Sequence, residues 1–287
     1  AVSCRMVPWW KAALLAAIFV VLGAWFQGRA GIETLSGLTP QDRLTAAVTV
    51  FSAATTVLLM TVARLPISTS QAVIGGIIGV GIMQGQLELS GLGKVILCWI
   101  GTPVGGMLFY VLFHHIFKYV TLWLKPSLVV QDQLLRLALI LGGCYGAYAL
   151  GANNVANVSA VLVGSNLLSS QWAVLLGGLG IAGGILTMSK PVMLTVGRGI
   201  VEINMFTAFI VILSASVTVH VYAMIGVPVS TSQAVVGALL GISMIKGLQV
   251  VRWRTVFHVG LAWVGTPLIA AIIAVLLYFT AHLKYHP

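Results

Sequence analysis

Acidic residues are almost missing from this chain: 5 Asp and Glu among 287 residues, with only 7% charged residues of either sign. A soluble domain carries about a quarter, so a globule covered by water is excluded. Glu33, Asp42, Glu88, Asp132 and Glu202 fall in loops or at the ends of apolar segments. They form no carboxylate pair, and the chain has no H-E-x-x-H motif, so a membrane enzyme lacks its usual machinery. Cysteine is scarce as well. Cys4, Cys98 and Cys144 stand at no metal-like spacing, two of them inside apolar stretches, which argues against a disulfide framework or a thiolate metal centre. The 15 Lys and Arg produce a net charge of +10, but they do not gather into the stripe a nucleic-acid surface requires. Lys118, Lys125, Arg136, Lys190, Arg198, Arg252 and Arg254 lie at the ends of apolar segments, as topology determinants and lipid-headgroup contacts. What remains is apolar: 59% hydrophobic residues and a mean hydropathy of +1.06. The chain reads as an all-α polytopic membrane protein of the cell (plasma) membrane, with lipid as a partner and nucleic acid excluded.

Continuous apolar segments near 9–26, 44–64, 93–117, 133–150, 171–188, 204–224 and 255–282 are each long enough to cross a bilayer. Two shorter pieces, 72–83 and 234–245, are too short to cross alone and read as half-helices. Comparing them exposes a repeat. Leu65-Pro66-Ile67-Ser68-Thr69-Ser70-Gln71-Ala72-Val73 matches Val227-Pro228-Val229-Ser230-Thr231-Ser232-Gln233-Ala234-Val235 at an offset of 162 (228 minus 66). The same offset pairs Gly75 and Gly79 with Gly237 and Gly241, and Trp99-Ile100-Gly101-Thr102-Pro103 returns as Trp263-Val264-Gly265-Thr266-Pro267 at 164 (263 minus 99). The chain therefore divides into a first repeat at 1–117, a connecting segment at 118–132 and a second repeat at 133–287. Short, interrupted segments at matching places in two halves point to a secondary transporter with its substrate at the repeat interface near the membrane midplane. Span counting and Lys/Arg placement leave both inverted and parallel arrangements open.

Ser68 to Gln71 and Ser230 to Gln233 both satisfy the capping box. A capped helix requires no ligand, so one copy is explained by structure alone. Two copies, each with three consecutive hydroxyl residues, bring two positive helix ends and Ser68, Thr69, Ser70, Ser230, Thr231 and Ser232 toward one point, which suits a small anion. The second cluster, Gly151-Ala152-Asn153-Asn154-Val155-Ala156-Asn157, sets three carboxamides at the end of an apolar span. There a helix can unwind and expose carbonyls; interhelical hydrogen bonding is the competing role.

Those two motifs carry a resemblance. Gly-Ala-Asn-Asn-Val-Ala-Asn at 151–157, followed by Pro-x-Ser-Thr-Ser-Gln from 228, resembles the PiT family of inorganic phosphate transporters, whose signature reads G-A-N-D-V-A-N-A with a downstream P-x-S-T-T-H. The resemblance covers almost the whole chain. It implies two halves forming an inverted repeat with paired half-helices at the midplane, and symport of a tetrahedral oxyanion with Na+ or H+, without a cofactor. The substrate would meet Ser68, Thr69, Ser70, Gln71, Asn153, Asn154, Asn157, Ser230, Thr231, Ser232 and Gln233, and carbonyls near Asn153 and Asn157 are the candidates for Na+ contacts. Asn154 stands where the family has Asp, and Gln71 and Gln233 where it has His. Phosphate keeps a proton near neutral pH and favours a carboxylate that accepts it, whereas sulfate has none to donate. A motif built only from donors favours sulfate and resembles the sulfate-permease branch, with phosphate as the alternative and a passive anion channel as the rival of another class. A second copy of the chain is a candidate partner. Matching Leu162-Val163-Gly164-Ser165 to Ala1-Val2-Ser3-Cys4 sets an expectation of an upstream helix carrying a first Gly/Asn motif.

Other signals carry less. Gly178-Leu179-Gly180-Ile181-Ala182-Gly183 fits G-x-G-x-x-G but lies inside an apolar span without a strand, so close helix packing explains it. The Gly75/Gly79 and Gly237/Gly241 pairs read the same way. His114 and His115 end a span at the interface, while His220 lies within one and is either packed or proton-coupled. Pro103 and Pro267 free a carbonyl inside a span, which Thr102 and Thr266 stand beside.

Overall fold

The computed structural model describes residues 7–62, 67–196, 204–247 and 253–285. Cys4, Pro66, Arg198, Glu202 and Arg252 lie outside them. Among the described residues there are ten helices: α1 (Trp9–Gln27), α2 (Arg29–Ser36), α3 (Arg43–Val62), α4 (Thr69–Gln84), α5 (Leu89–Leu124), α6 (Leu128–Gly164), α7 (Ser170–Val196), α8 (Met205–Met224), α9 (Thr231–Lys246) and α10 (Trp253–Tyr285). Seven are long and apolar enough to cross a membrane. The two half-helices, α4 and α9, have 16 residues each, about 24 Å against a hydrocarbon core of about 30 Å. Their bounds repeat the sequence offset, since 231 minus 69 and 246 minus 84 are both 162, as are 205 minus 43 and 224 minus 62 for α8 and α3. The eight-residue α2 has no matching apolar signal in the chain and was not expected.

The direction of each helix follows from its contacts. Trp9 Nε1 at the start of α1 donates to Ser189 Oγ near the end of α7 (3.3 Å), while Gly178 of α7 packs against Ala24 and Val21. Repeat-equivalent helices α1 and α7 thus run antiparallel, which makes the repeat an inverted one. Within each half the half-helix folds back on the helix before it. Gly76 faces Thr49 and Ser52, Gly81 lies beside Thr39, and Glu88 N–H donates to the Leu38 carbonyl at 2.9 Å. In the second half Phe209 and Ile210 share a cluster with Ala238 and Ile242. Hence α3–α4 and α8–α9 are helical hairpins that leave on the side where they began, with α3 and α8 as their first arms.

The halves interlock through their glycines. A methyl placed on Gly75 would lie 2.3 Å from the Pro267 carbonyl oxygen, and one on Gly237 would lie 2.1 Å from that of Pro103. Half-helix α4 therefore packs on α10 of the other half and α9 on α5, each glycine accepting the turn at the proline. Pro103 and Pro267 stay inside continuous helices. Thr102 and Thr266 donate to the carbonyls of Cys98 and Ala262, both at 2.6 Å. The carbonyls freed by the prolines belong to Trp99 and Trp263, so the hydroxyls do not repair them: a threonine hydroxyl reaches its own i−4 carbonyl, one residue earlier.

Candidate functional site

Ser68 and Ser230 cap α4 and α9, their side chains accepting from Gln71 N–H and Gln233 N–H at 3.3 Å in both halves. The returning half of the capping box does not form. The Gln71 and Gln233 side-chain oxygens are buried without a partner, in residues only 2% and 4% exposed. The remaining N–H groups of each first turn, at Thr69 and Ser70 and at Thr231 and Ser232, point along the positive helix ends.

The two caps meet. Ser70 Oγ donates to the Val229 carbonyl (3.1 Å), and Ser232 Oγ donates to the Ile67 carbonyl (3.4 Å). Since 232 minus 70 and 229 minus 67 are both 162, the contact is made twice in the manner of a two-fold axis. Ser230 Oγ and Ser232 Oγ also bond each other at 2.8 Å. Around this axis α6 supplies the carboxamides. Both polar atoms of Asn153 are engaged: its Nδ2 donates to the Val229 carbonyl and its Oδ1 accepts from Val229 N–H, both at 2.8 Å. Asn157 Nδ2 donates to Ser70 Oγ (2.9 Å) and to Asn154 Oδ1 (2.8 Å), leaving Asn157 Oδ1 buried without a partner. Thr69 Oγ1 approaches Asn154 Oδ1 at 3.5 Å.

Two sequence expectations change here. The Gly/Asn segment does not unwind: α6 runs unbroken from Leu128 to Gly164, so backbone carbonyls near Asn153 and Asn157 stay in helical hydrogen bonds. Gly151 serves packing instead, since a methyl on it would lie 2.0 Å from the Val20 carbonyl oxygen. Asn153 holds the backbone of the α9 cap, which makes it a positioning residue. Of the three α6 carboxamides in this motif, the one whose oxygen is buried without a partner is Asn157. Sequence reading also missed Val229, whose backbone collects Asn153 and Ser70. Its signal was its place between Pro228 and the Ser230 cap, where the chain is extended and both backbone groups are free to bond.

A cavity of about 520 Å³ reaches this junction, with Thr69, Asn154, Asn157 and Thr231 among its lining residues. Its other walls are aliphatic, including Val57, Val161 and Ile181, apart from Thr49. Among the described residues nothing takes the Asn154 Nδ2 or the Thr231 hydroxyl, so both donors are available to a ligand. No acid lines the cavity, and the described residues hold no group of His, Cys, Asp or Glu able to bind a metal ion. Ser68, Ser70, Gln71, Ser230 and Gln233 are buried behind this surface, and Ser232 is half-buried beside it.

The profile of the phosphate transporter family matches residues 1–274. The chain belongs to that family. Within it, a provisionally named phosphate permease of Thermococcus kodakarensis is 29% identical over 367 residues, covering 97% of this chain and 90% of the relative. A sulfate permease, CysP of Bacillus subtilis, is 26% identical, covering 93% of this chain and 76% of the relative. A solved structure described as the sodium-dependent phosphate transporter superposes with a TM-score of 0.86 at 23% identity, over 98% of this chain and 92% of that one. The chain is thus a multi-pass membrane transporter of the phosphate transporter family, with the all-helical fold expected, and not an enzyme.

Proposed function

We propose that this phosphate transporter family member is a symporter for an inorganic tetrahedral oxyanion, with sulfate preferred, coupled to Na+. The observation that carries the reading is the reciprocal meeting of two capped helix N-termini at the end of a cavity that no acid lines. Positive helix ends and neutral donors suit a dianion, which a carboxylate would repel. Thr69, Asn154 and Thr231 bind the oxyanion directly, with Ser70, Asn157 and Ser232 shaping the pocket behind them. Asn157 Oδ1 contacts the cation, and the buried oxygens of Gln71 and Gln233 supply further acceptors; unpartnered buried oxygens of this kind call for a partner. Names of relatives support both substrates, since one is called a sulfate permease and another a sodium-dependent phosphate transporter.

Labelled sulfate and phosphate uptake into proteoliposomes, with mutual competition and an imposed Na+ gradient, tests the reading. Sulfate uptake against a gradient, abolished when the cation gradient is collapsed, is the expected result. Saturable phosphate uptake indifferent to excess sulfate would reverse the substrate order, and downhill flux alone would make the protein a channel. Asn154→Asp sharpens the choice. The new carboxylate should weaken sulfate uptake about tenfold or more and spare phosphate, read from the ratio of inhibition constants.

A further inference from the structure

Two helix faces are open whose counterparts in the repeat are closed. Among the described residues, a methyl placed on Gly180, Gly183 or Gly184 of α7 would meet nothing within 4 Å, whereas one on Gly178 would lie 3.1 Å from the Ala24 methyl of α1. On α3, Val50 is 44% exposed and Leu58 64%, with Ala54 exposed between them. The repeat says what covers such faces. Helices α1 and α7 start 161 residues apart (170 minus 9), so Gly184 corresponds to Gly23, where a methyl would lie 1.9 Å from the Tyr148 carbonyl oxygen of α6. Ile181 corresponds to Val20, whose carbonyl oxygen would lie 2.0 Å from a methyl on Gly151 of α6. For α3 and α8 the offset is 162, and Val50, Ala54 and Leu58 correspond to Ile212, Ser216 and His220. Ile212 lies against Gly142, Ser216 against Gly146, and His220 meets the Tyr145 hydroxyl at 2.7 Å, all on α6. Each of these open positions therefore matches a residue that α6 covers.

The same faces bound the cavity of about 520 Å³, through Val50, Ala54, Val57 and Ile181. Its far end is polar: Thr69 is exposed there, and Asn157, only 8% exposed, keeps its Oδ1 without a partner. Lipid is a poor cover for that end, because hydrocarbon offers these groups no hydrogen bond at the depth of the half-helix tips. A helix is the fitting occupant, since open glycines admit the backbone-to-backbone approach that Gly23 and Gly151 already make. We propose that the groove between α3 and α7 seats a helix of the same polypeptide, upstream of residue 1, antiparallel to α6 and related to it by the repeat. Helix α7 follows α6 after five residues (165–169), so the counterpart of α6 belongs directly before α1. It covers the aliphatic walls and leaves the polar end, at Thr69, Asn154, Asn157 and Thr231, to a ligand. A carboxamide at the place of Asn153 on this helix holds Ile67 as Asn153 holds Val229 (229 minus 162). The seat follows from the repeat and does not rest on the transport reading.

The test compares the 287-residue chain with the same chain extended by its own upstream coding sequence, both in lipid nanodiscs. Gly184→Leu and Ala54→Leu fill open space in the shorter chain and should leave its Tm unchanged. In the extended chain each should lower Tm by about 5 °C or more, because the new side chain strains a packed helix contact. Gly178→Leu, on the face α1 already covers, should lower Tm in both chains. A nitroxide on Leu58→Cys, with Cys4, Cys98 and Cys144 replaced by serine, supplies a second reading: its collisions with oxygen dissolved in the bilayer should fall severalfold on extension. Equal Tm changes in the two chains, collisions that extension leaves unchanged, or a native protein that begins at Ala1 would overturn the proposal. Losses in the shorter chain that grow with the number of copies per nanodisc would assign the groove to a second copy and overturn it as well.

Discussion

The two hairpins are built to one plan and held in different ways. Both begin with a side-chain cap, Asp42 Oδ1 accepting from Thr45 N–H and Asn204 Oδ1 from Thr207 N–H, each at 2.8 Å and 162 residues apart (204 minus 42). Both end on a serine-capped half-helix that packs glycine to proline against the opposite half. In the second hairpin Asn153 holds Val229 through two bonds of 2.8 Å, and His220 meets Tyr145 of α6. At the equivalent places the first hairpin has Ile67, whose carbonyl receives one bond of 3.4 Å from Ser232, and Leu58. What the repeat shares builds the pocket. What it does not share, His220 against Leu58, lies away from the pocket.

The comparison can be broken most severely at the glycines. Gly237→Ala puts a methyl 2.1 Å from the Pro103 carbonyl oxygen, and Gly75→Ala puts one 2.3 Å from that of Pro267. Backbone cannot yield as a side chain can, so each should cost about 3 kcal/mol or more. Thermal unfolding in detergent should show similar losses for the two, and a large difference would mean the halves interlock unequally. Asn153→Ala comes next, because it strips two hydrogen bonds from a buried backbone segment of the second hairpin. A loss of about 2–3 kcal/mol is expected, with uptake down at least tenfold; Ser232→Ala, which removes one bond of 3.4 Å to the Ile67 carbonyl, should lose about 1 kcal/mol or less. Hydrogen exchange at each hairpin tip would read the two losses directly.

Smaller still are the half-helix caps. Ser68→Ala and Ser230→Ala should each lower stability by about 1 kcal/mol, in equal measure if the matched 3.3 Å bonds describe both halves. The least effect belongs to Asp42→Asn, which makes the first hairpin's start like the second's. The bond from Thr45 N–H holds the Asp42 carboxyl below its usual value, assisted by the Thr45 hydroxyl. A depressed carboxylate contributes stability above its unfolded value and loses it as pH falls through the folded one. Asp42→Asn should therefore alter stability by about a few tenths of a kcal/mol at neutral pH and remove a small loss below about pH 4. Unfolding midpoints measured at pH 3.5 and pH 7 would check it.

Much of this was legible before any coordinates. The repeated Pro-x-Ser-Thr-Ser-Gln segment located both half-helices to within a few residues, because a serine cap, a helix-starting turn and an apolar run too short to span leave a local record. The Gly/Asn segment was found, but its backbone state stayed open. Gly151 permits either an unwound turn or a close helix contact, and only the Val20 backbone lying against it decides between them. The partner of Asn153 was not legible for a related reason: a carboxamide bonds equally well to solute or to backbone, and Val229 lies 76 residues away. Helix α2 escaped notice because eight residues with mixed polarity carry too weak a periodic signal.

By itself, the sequence determined the class, the repeat and the chemistry available. Composition decides which solvent a chain can face, spacing decides which segments can cross it, and residue type decides what a group can donate or accept. Tertiary structure alone decided that the repeat is inverted, that Ser70 meets Val229 while Ser232 meets Ile67, and that the donors left over face a cavity no acid lines. These depend on contacts between helices distant in the chain. A hydrogen bond satisfies a group with whichever partner packing brings near, and no local pattern records which partner that is.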